Sequence, residues 1–131
     1  MRWISFLQCF EFDEVKRIRE ELDWKGRMIF LMGPFKKGEE SKKETLALAQ
    51  VASVADGIGP LISEDLVQLT AQAHAAGLLV HPYTLRVDAL PKWSASADAL
   101  MRFLFREAKV DGLFSDFPDV VVKWLGSKET R

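Results

Sequence analysis

Apolar and polar positions along this chain alternate between two regimes: short dense apolar runs, and longer stretches where apolar residues recur at helical spacing. Trp3–Phe10 is a nearly continuous apolar run, the pattern of a strand buried on both faces of a parallel sheet. Phe12, Val15, Ile18 and Leu22 follow at helical spacing, with Asp13 and Glu14 in the first turn where the helix dipole favours acids. Gly26 closes that helix, Met28–Met32 reads as a second strand, and Gly33-Pro34 stops it. The polar stretch Phe35–Lys43 reads as a solvated loop. A helix through about Glu44–Val54 turns Leu46, Leu48, Ala49 and Val54 inward, and a short strand Val54–Ile58 ends in Gly59-Pro60. Ser63 is positioned to cap a helix whose stripe is Leu66, Leu69, Ala73 and Ala76, with Gly77 just past its end. Leu78–Tyr83 is then a strand and Val87–Trp93 a loop. Ser96 caps a helix carrying Leu100, Phe103, Leu104 and Ala108 on one face. Val110–Ser115 is the last strand. Pro118 fits the first turn of a closing helix that ends near Leu125, before Gly126 and a frayed tail.

This order is five strands alternating with helices, which argues for parallel strands joined by right-handed crossovers. A doubly wound sheet and a segment of a barrel satisfy the pattern equally. Length limits the second option, because a complete eight-unit barrel takes about 250 residues and the chain has 131. With 48% hydrophobic residues, nine Phe and four Trp, there is material for one globular core. The 18 basic and 19 acidic residues are well mixed, so no electrostatic footprint points to nucleic acid or an anionic membrane. A single cysteine, Cys9, excludes an intrachain disulfide and any multi-cysteine metal site. No apolar run approaches the length needed to span a bilayer. Arg2, the apolar stretch after it and Cys9 superficially mimic a lipoprotein signal. That stretch is too short for a secretory core, and Gln8 is a poor residue before a processed cysteine.

The segment from Leu79 to Trp124 separates the two architectures. It reads LVHPYTLR, then DALP, an amphipathic helix, and VDGLFSDFPDVVVKWL. It resembles the last two strand–helix units of the glycerophosphodiester phosphodiesterases, a TIM-barrel family. Within the family it is most similar to the bacterial secreted (periplasmic-type) branch, which favours HPYT-R where most relatives carry W-T-V-N. ADGIGP at Ala55–Pro60 and LQCFEFDEVKRIREEL at Leu7–Leu22 look like earlier units in the same order. The resemblance covers about Ile4 to Leu125. It implies an α/β fold of parallel (β/α) units, about strands 4–8 of a TIM barrel, forming one domain over residues 4–125 with a flexible tail at 126–131.

In such barrels the active face lies at the C-terminal strand ends. Strand-end residues are Gln8 and Phe10, Gly33 with the FKKGEE loop, Gly59, Tyr83 and Arg86, and Ser115 with Asp116. Three are assigned to substrate binding. Arg86 matches phosphate oxygens bidentately, its plainer alternative being a surface pair with Asp88. Tyr83 would pack its ring on a glycerol and donate its hydroxyl, or merely fill the barrel mouth. Gln8 offers an amide donor, or satisfies a neighbouring strand-end carbonyl. His81 sits between Val80 and Pro82 rather than beside carboxylates, so a packed imidazole is the expected state. His74 lies in an Ala-rich helix and should only pack or face solvent. The two histidines make no zinc motif. Asp116 and Asp119 are helix-start caps by default, with Asp116 also shaping the site mouth, and Asp56 marks a tight strand-end turn.

Phosphodiester hydrolysis needs stabilisation of negative charge and protonation of a leaving alkoxide. By resemblance, family members supply these with an H-R-G segment and a following glutamate, E-x-D, an H-D strand end and a later E-x-K strand, around a divalent cation, Ca2+ or Mg2+. None of these motifs occurs here; the nearest, Lys25-Gly26-Arg27, lacks a histidine. No catalytic or metal-ligating residue is therefore assigned to this chain. The resemblance implies a parent activity that hydrolyses glycerophosphodiesters to an alcohol and glycerol 3-phosphate. The chain alone is expected to be inactive, with two open sheet edges favouring self-association or pairing with an N-terminal half. A non-catalytic half-barrel that serves binding or assembly is the competing expectation. Met1 beside the first strand suggests an internal start, a split gene or an incomplete gene model. As encoded, nothing directs the chain out of the cytoplasm, although relatives with HPYT-R are often exported.

Overall fold

The computed structural model describes residues 5–33 and 47–127. Strand β1 (Phe6–Cys9) leads to helix α1 (Phe12–Glu20) and strand β2 (Arg27–Leu31). Helix α2 (Leu48–Ala52), strand β3 (Gly57–Gly59), helix α3 (Leu66–Ala75) and strand β4 (Leu79–Val80) follow. Helix α4 (Ala97–Arg102) runs on into a π-helical turn, Phe103–Glu107, and helix α5 (Pro118–Leu125) closes the chain. The polar loop expected at Phe35–Lys43, the start of the helix expected from Glu44, and residues 1–4 and 128–131 lie outside the described residues.

The four strands form one parallel sheet in sequence order, β1-β2-β3-β4. Register is continuous: Gln8 pairs with Ile29, Ile29 with Gly57 and Gly57 with Leu79. The fifth strand expected at Val110–Ser115 does not form as a regular strand; the segment is irregular backbone that follows β4 through a few hydrogen bonds. Gly112 N–H donates to Val80 O at 3.3 Å, Phe114 N–H to Pro82 O at 3.0 Å, and Leu85 N–H to Phe114 O at 2.8 Å. These bonds run Val110–Ser115 parallel to the extension of β4, with a single bridge between Leu85 and Ser115.

The sheet is curled. Flat strands lie about 4.8 Å apart, so three spacings would hold β1 and β4 about 14 Å from each other. Instead the Phe6 ring of β1 meets the His81 ring just after β4 with centroids 4.9 Å apart, and Phe10 meets Tyr83 at 5.9 Å. Such contacts need inward side chains converging across a concave face, as inside a barrel. The alternation of strand side chains puts Phe6, Gln8 and Phe10 on that face together.

Core packing follows the helical stripes in part. Val15, Met28, Phe30, Ile58, Leu66, Val80, Leu100 and Leu104 are all nearly inaccessible. Several expectations need correction. β1 is not buried on both faces: it is an edge strand, and Leu7 is 39% exposed. α1 ends at Glu20 rather than near Gly26, leaving Leu22 exposed, and Asp23 takes the left-handed turn (φ 54°). On α2 Val51 faces the core, whereas Ala49 is exposed. α3 starts after Asp65 without a side-chain cap, so Ser63 does not cap it. Other signals hold: Gly77 is left-handed (φ 80°), Ser96 Oγ accepts from Ala99 N–H at 3.0 Å, and Pro118 sits in the first turn of α5.

An Asp-Gly device occurs twice at the N-terminal strand ends. The Asp56 carboxylate accepts from Met28 N–H (2.8 Å) on β2 and from Arg19 Nη2 (3.0 Å) on α1. The Asp111 carboxylate accepts from Val80 N–H (2.8 Å) on β4 and lies 2.7 Å from His74 Nε2 on α3. Each aspartate joins the neighbouring strand to a helix on the face opposite the strand ends that matter for chemistry. Asp56 is thus more than a turn marker, and His74 pairs rather than only packing.

Candidate functional site

A cleft of about 330 Å³ opens at the C-terminal strand ends, lined by Gln8, Phe10, Leu31, Tyr83, Thr84, Phe114, Ser115 and Asp116. Two of the three assigned residues meet in it. Gln8 arrives from β1 as an inward-facing, half-buried position, and its amide makes no hydrogen bond among the described residues. Tyr83 arrives from the extension of β4, where Tyr83 N–H donates to Pro60 O at 3.0 Å and fixes the backbone. Its ring stands edge-on to Phe10, and its hydroxyl donates to the Met32 carbonyl at 2.7 Å. The Tyr83 proton is therefore already committed, and a ligand would meet its ring and an acceptor lone pair. Burial raises the Tyr83 pKa, so the group stays a neutral phenol across ordinary pH.

Arg86 takes the surface arrangement. Its Nε donates to Asp88 Oδ1 at 3.1 Å and its Nη2 to Asp88 Oδ2 at 2.9 Å, while Nε also lies 3.5 Å from Asp116 Oδ2. The hydrogen bonds from Arg86 hold the Asp88 carboxyl below the usual carboxylate range. Arg86 does not line the cleft; it reaches it through Asp116, which does. A phosphate seeking the Nε–Nη2 edge has to displace Asp88.

Ser115 connects the cleft wall to its neighbours. Its hydroxyl donates to Leu85 O at 2.7 Å and accepts from Phe117 N–H at 2.9 Å, which turns the chain into α5. Phe117, not Asp116, precedes α5, and no side chain caps that helix. His81 lies below the cleft, between Phe6 and Phe114 (6.3 Å), with Gly112 against its ring. Burial lowers its pKa, opposed by the more modest pull of Asp111, so it packs as a neutral imidazole. Strand-end reading missed Leu31, Thr84 and Phe114; Phe114, next to Ser115 on the same segment, had the clearest signal.

No group of three or more His, Cys, Asp or Glu side chains among the described residues is placed to hold a metal ion. The cleft's own carboxylate, Asp116, faces a guanidinium instead. These residues by themselves do not fit the divalent cation that the resemblance implies. No helix among them is long and apolar enough to cross a membrane.

A curled parallel sheet, flanking helices and a cleft at the C-terminal strand ends define a segment of a (β/α) barrel. The chain belongs to the glycerophosphoryl diester phosphodiesterase family, whose sequence profile matches residues 3–120. It is 29% identical to the glycerophosphodiester phosphodiesterase of Haemophilus influenzae, over 92% of this chain and 42% of that protein. Against the glycerophosphodiester phosphodiesterase of Treponema pallidum the identity is 26%, over 94% and 43%. A solved structure assigned to a glycerophosphoryl diester phosphodiesterase of Silicibacter pomeroyi shares the fold, with a TM-score of 0.65 at 21% identity. That match covers 92% of this chain and 37% of the other. The chain thus spans about two fifths of the length of the curated relatives it matches.

Proposed function

We propose that this chain forms the substrate-contacting wall of a glycerophosphodiester phosphodiesterase, the C-terminal part of a barrel that hydrolyses glycerophosphodiesters to an alcohol and glycerol 3-phosphate. The observation that carries the reading is the convergence of Gln8 and Tyr83, from opposite ends of the sheet, in one cleft at the strand C-termini. The cleft mixes apolar rings with an amide that none of the described residues engages, a lining suited to a small polyol. Gln8 donates to a hydroxyl or phosphoryl oxygen, Phe10 and Tyr83 hold the carbon skeleton, and the Arg86–Asp116 pair borders the mouth. The charge-stabilising and proton-transferring groups come from barrel units outside residues 5–127, together with the divalent cation. Within the family, HPYT-R at His81–Arg86 favours the exported bacterial branch.

Turnover of glycerophosphocholine with added Ca2+ or Mg2+ is the test. The 131-residue chain alone should give none above background. When the remaining (β/α) units of the Haemophilus influenzae relative are supplied, turnover should appear. In that assembly Gln8→Ala should lower kcat/KM on the order of tenfold, the loss of about one good hydrogen bond in the transition state. Hydrolysis by the chain alone, or indifference to Gln8→Ala, would remove the reading.

A further inference from the structure

A second pocket adjoins the strand-end cleft. It holds about 220 Å³ between the turn after β3 and the turn after β4, lined by Leu61, Ile62, Tyr83, Thr84, Ala89 and Pro91. Tyr83 and Thr84 line the cleft as well, so the two spaces meet across one pair of residues. The walls are fastened to each other. Tyr83 N–H donates to Pro60 O and Ile62 N–H to Tyr83 O, both at 3.0 Å, and Ala89 N–H closes its turn on Arg86 O at 3.2 Å. A recess whose backbone is fixed before a ligand arrives costs little ordering on binding.

The lining is chemically selective. Leu61, Ile62, Ala89 and Pro91 are apolar, Tyr83 is a neutral phenol, and Thr84 adds a methyl and a hydroxyl. None of the six carries a formal charge at neutral pH. Asp88, next to Ala89 in the chain, is engaged by Arg86. An ammonium or carboxylate entering this pocket would shed water without gaining an ionic partner, which is costly. An alkyl group would instead bury itself against Leu61, a large side chain left 42% exposed.

We propose that this pocket is a specificity site for an uncharged alkyl or acyl substituent of the bound glycerophosphodiester, whose glycerophosphate skeleton lies in the cleft. For the placement of the skeleton it rests on the reading given under Proposed function. A ligand with its carbons on the Tyr83 ring reaches the pocket over Tyr83 and Thr84, without crossing a strand. Such a substituent has two points of attachment, a glycerol hydroxyl or the alcohol side of the phosphate. Both present the same chemistry to Leu61 and Ala89.

The test is an amide-resolved NMR titration of the full 131-residue chain, which carries both spaces. Three ligands are compared: sn-glycerol 3-phosphate, its 1-butanoyl ester and its n-butyl phosphodiester. sn-Glycerol 3-phosphate should shift the amides of Gln8 and Thr84 and leave those of Ile62 and Ala89 in place. At least one four-carbon ligand should shift Ile62 and Ala89 too and bind roughly tenfold tighter, as expected from burying a few methylenes. If the butanoyl ester does so, the pocket serves the glycerol side; if the butyl diester does, it serves the alcohol side. Ala89→Trp fills the pocket from an exposed position, and Leu61→Asp puts a carboxylate in it. Each should remove the tenfold gain while leaving the affinity for sn-glycerol 3-phosphate unchanged, and the amide spectrum of each free variant reports its folding. Equal affinities of the three ligands overturn the proposal, as does a gain that leaves Ile62 and Ala89 unmoved or survives both substitutions. No turnover is read, so a completed barrel that fails to hydrolyse glycerophosphocholine leaves this result standing.

Discussion

Single side chains at the strand ends differ in how far their chemistry is already engaged. Arg86 is held by Asp88, Tyr83 by the Met32 carbonyl, and Gln8 by neither. Tyr83→Phe should therefore cost about 1 kcal/mol of stability, the usual net worth of one hydrogen bond, read as a lower urea midpoint with unchanged slope. An unchanged midpoint would mean that the hydroxyl–carbonyl contact contributes nothing. His81 gives a prediction in pH. Burial lowers its folded pKa, so as pH falls the unfolded chain takes up this proton first. Its contribution is complete above the ordinary histidine pKa of about 6.5 and declines as pH drops below it. Melting temperature should fall between pH 7.5 and 5.5, with a shallower slope in His81→Gln than in the unsubstituted chain. Equal slopes in the two would show that the His81 ring is not desolvated.

At the scale of elements, the Asp56 and Asp111 devices hold the N-terminal strand ends while leaving the opposite ends to shape the cleft. Asp56→Ala leaves Met28 N–H and Arg19 without a carboxylate, and Asp111→Ala does the same to Val80 N–H and His74. Each should cost roughly 1–2 kcal/mol in chemical denaturation, within the range for hydrogen bonds to charged groups at partly exposed sites. Loss of one without effect would assign that aspartate to solvent. Neither partnership was legible in the sequence, because Arg19 and His74 lie 37 positions from their aspartates. Element order was legible, since each alternating run has a local cause: helical spacing in α1 and α3, Gly77 after α3, Ser96 before α4, Pro118 in α5. The errors share a cause too. Leu22 and Leu7 read as core because they are apolar, but burial depends on what covers an edge. The placement of Gln8 and Tyr83 at strand ends was readable once the barrel resemblance was in hand; the engagement of Arg86 and the Tyr83 hydroxyl was not, because it depends on neighbours brought in by the turn.

For the whole molecule, curvature is the decisive property. A flat doubly wound sheet and a barrel segment share the same alternation of strands and helices, and only contacts between side chains of non-adjacent strands tell them apart. Phe6 with His81 and Phe10 with Tyr83 make those contacts, so the concave face exists and its mouth is the cleft. Among the described residues, β1 and Val110–Ser115 lie at the two ends of this curved sheet. The most direct measurement is a crystal structure of the completed barrel soaked with sn-glycerol 3-phosphate. The ligand should lie in the strand-end cleft with an oxygen within hydrogen-bond distance of the Gln8 amide and its carbons against Phe10 and Tyr83. A ligand bound wholly on the other units, with Gln8 and Tyr83 untouched, would contradict the account.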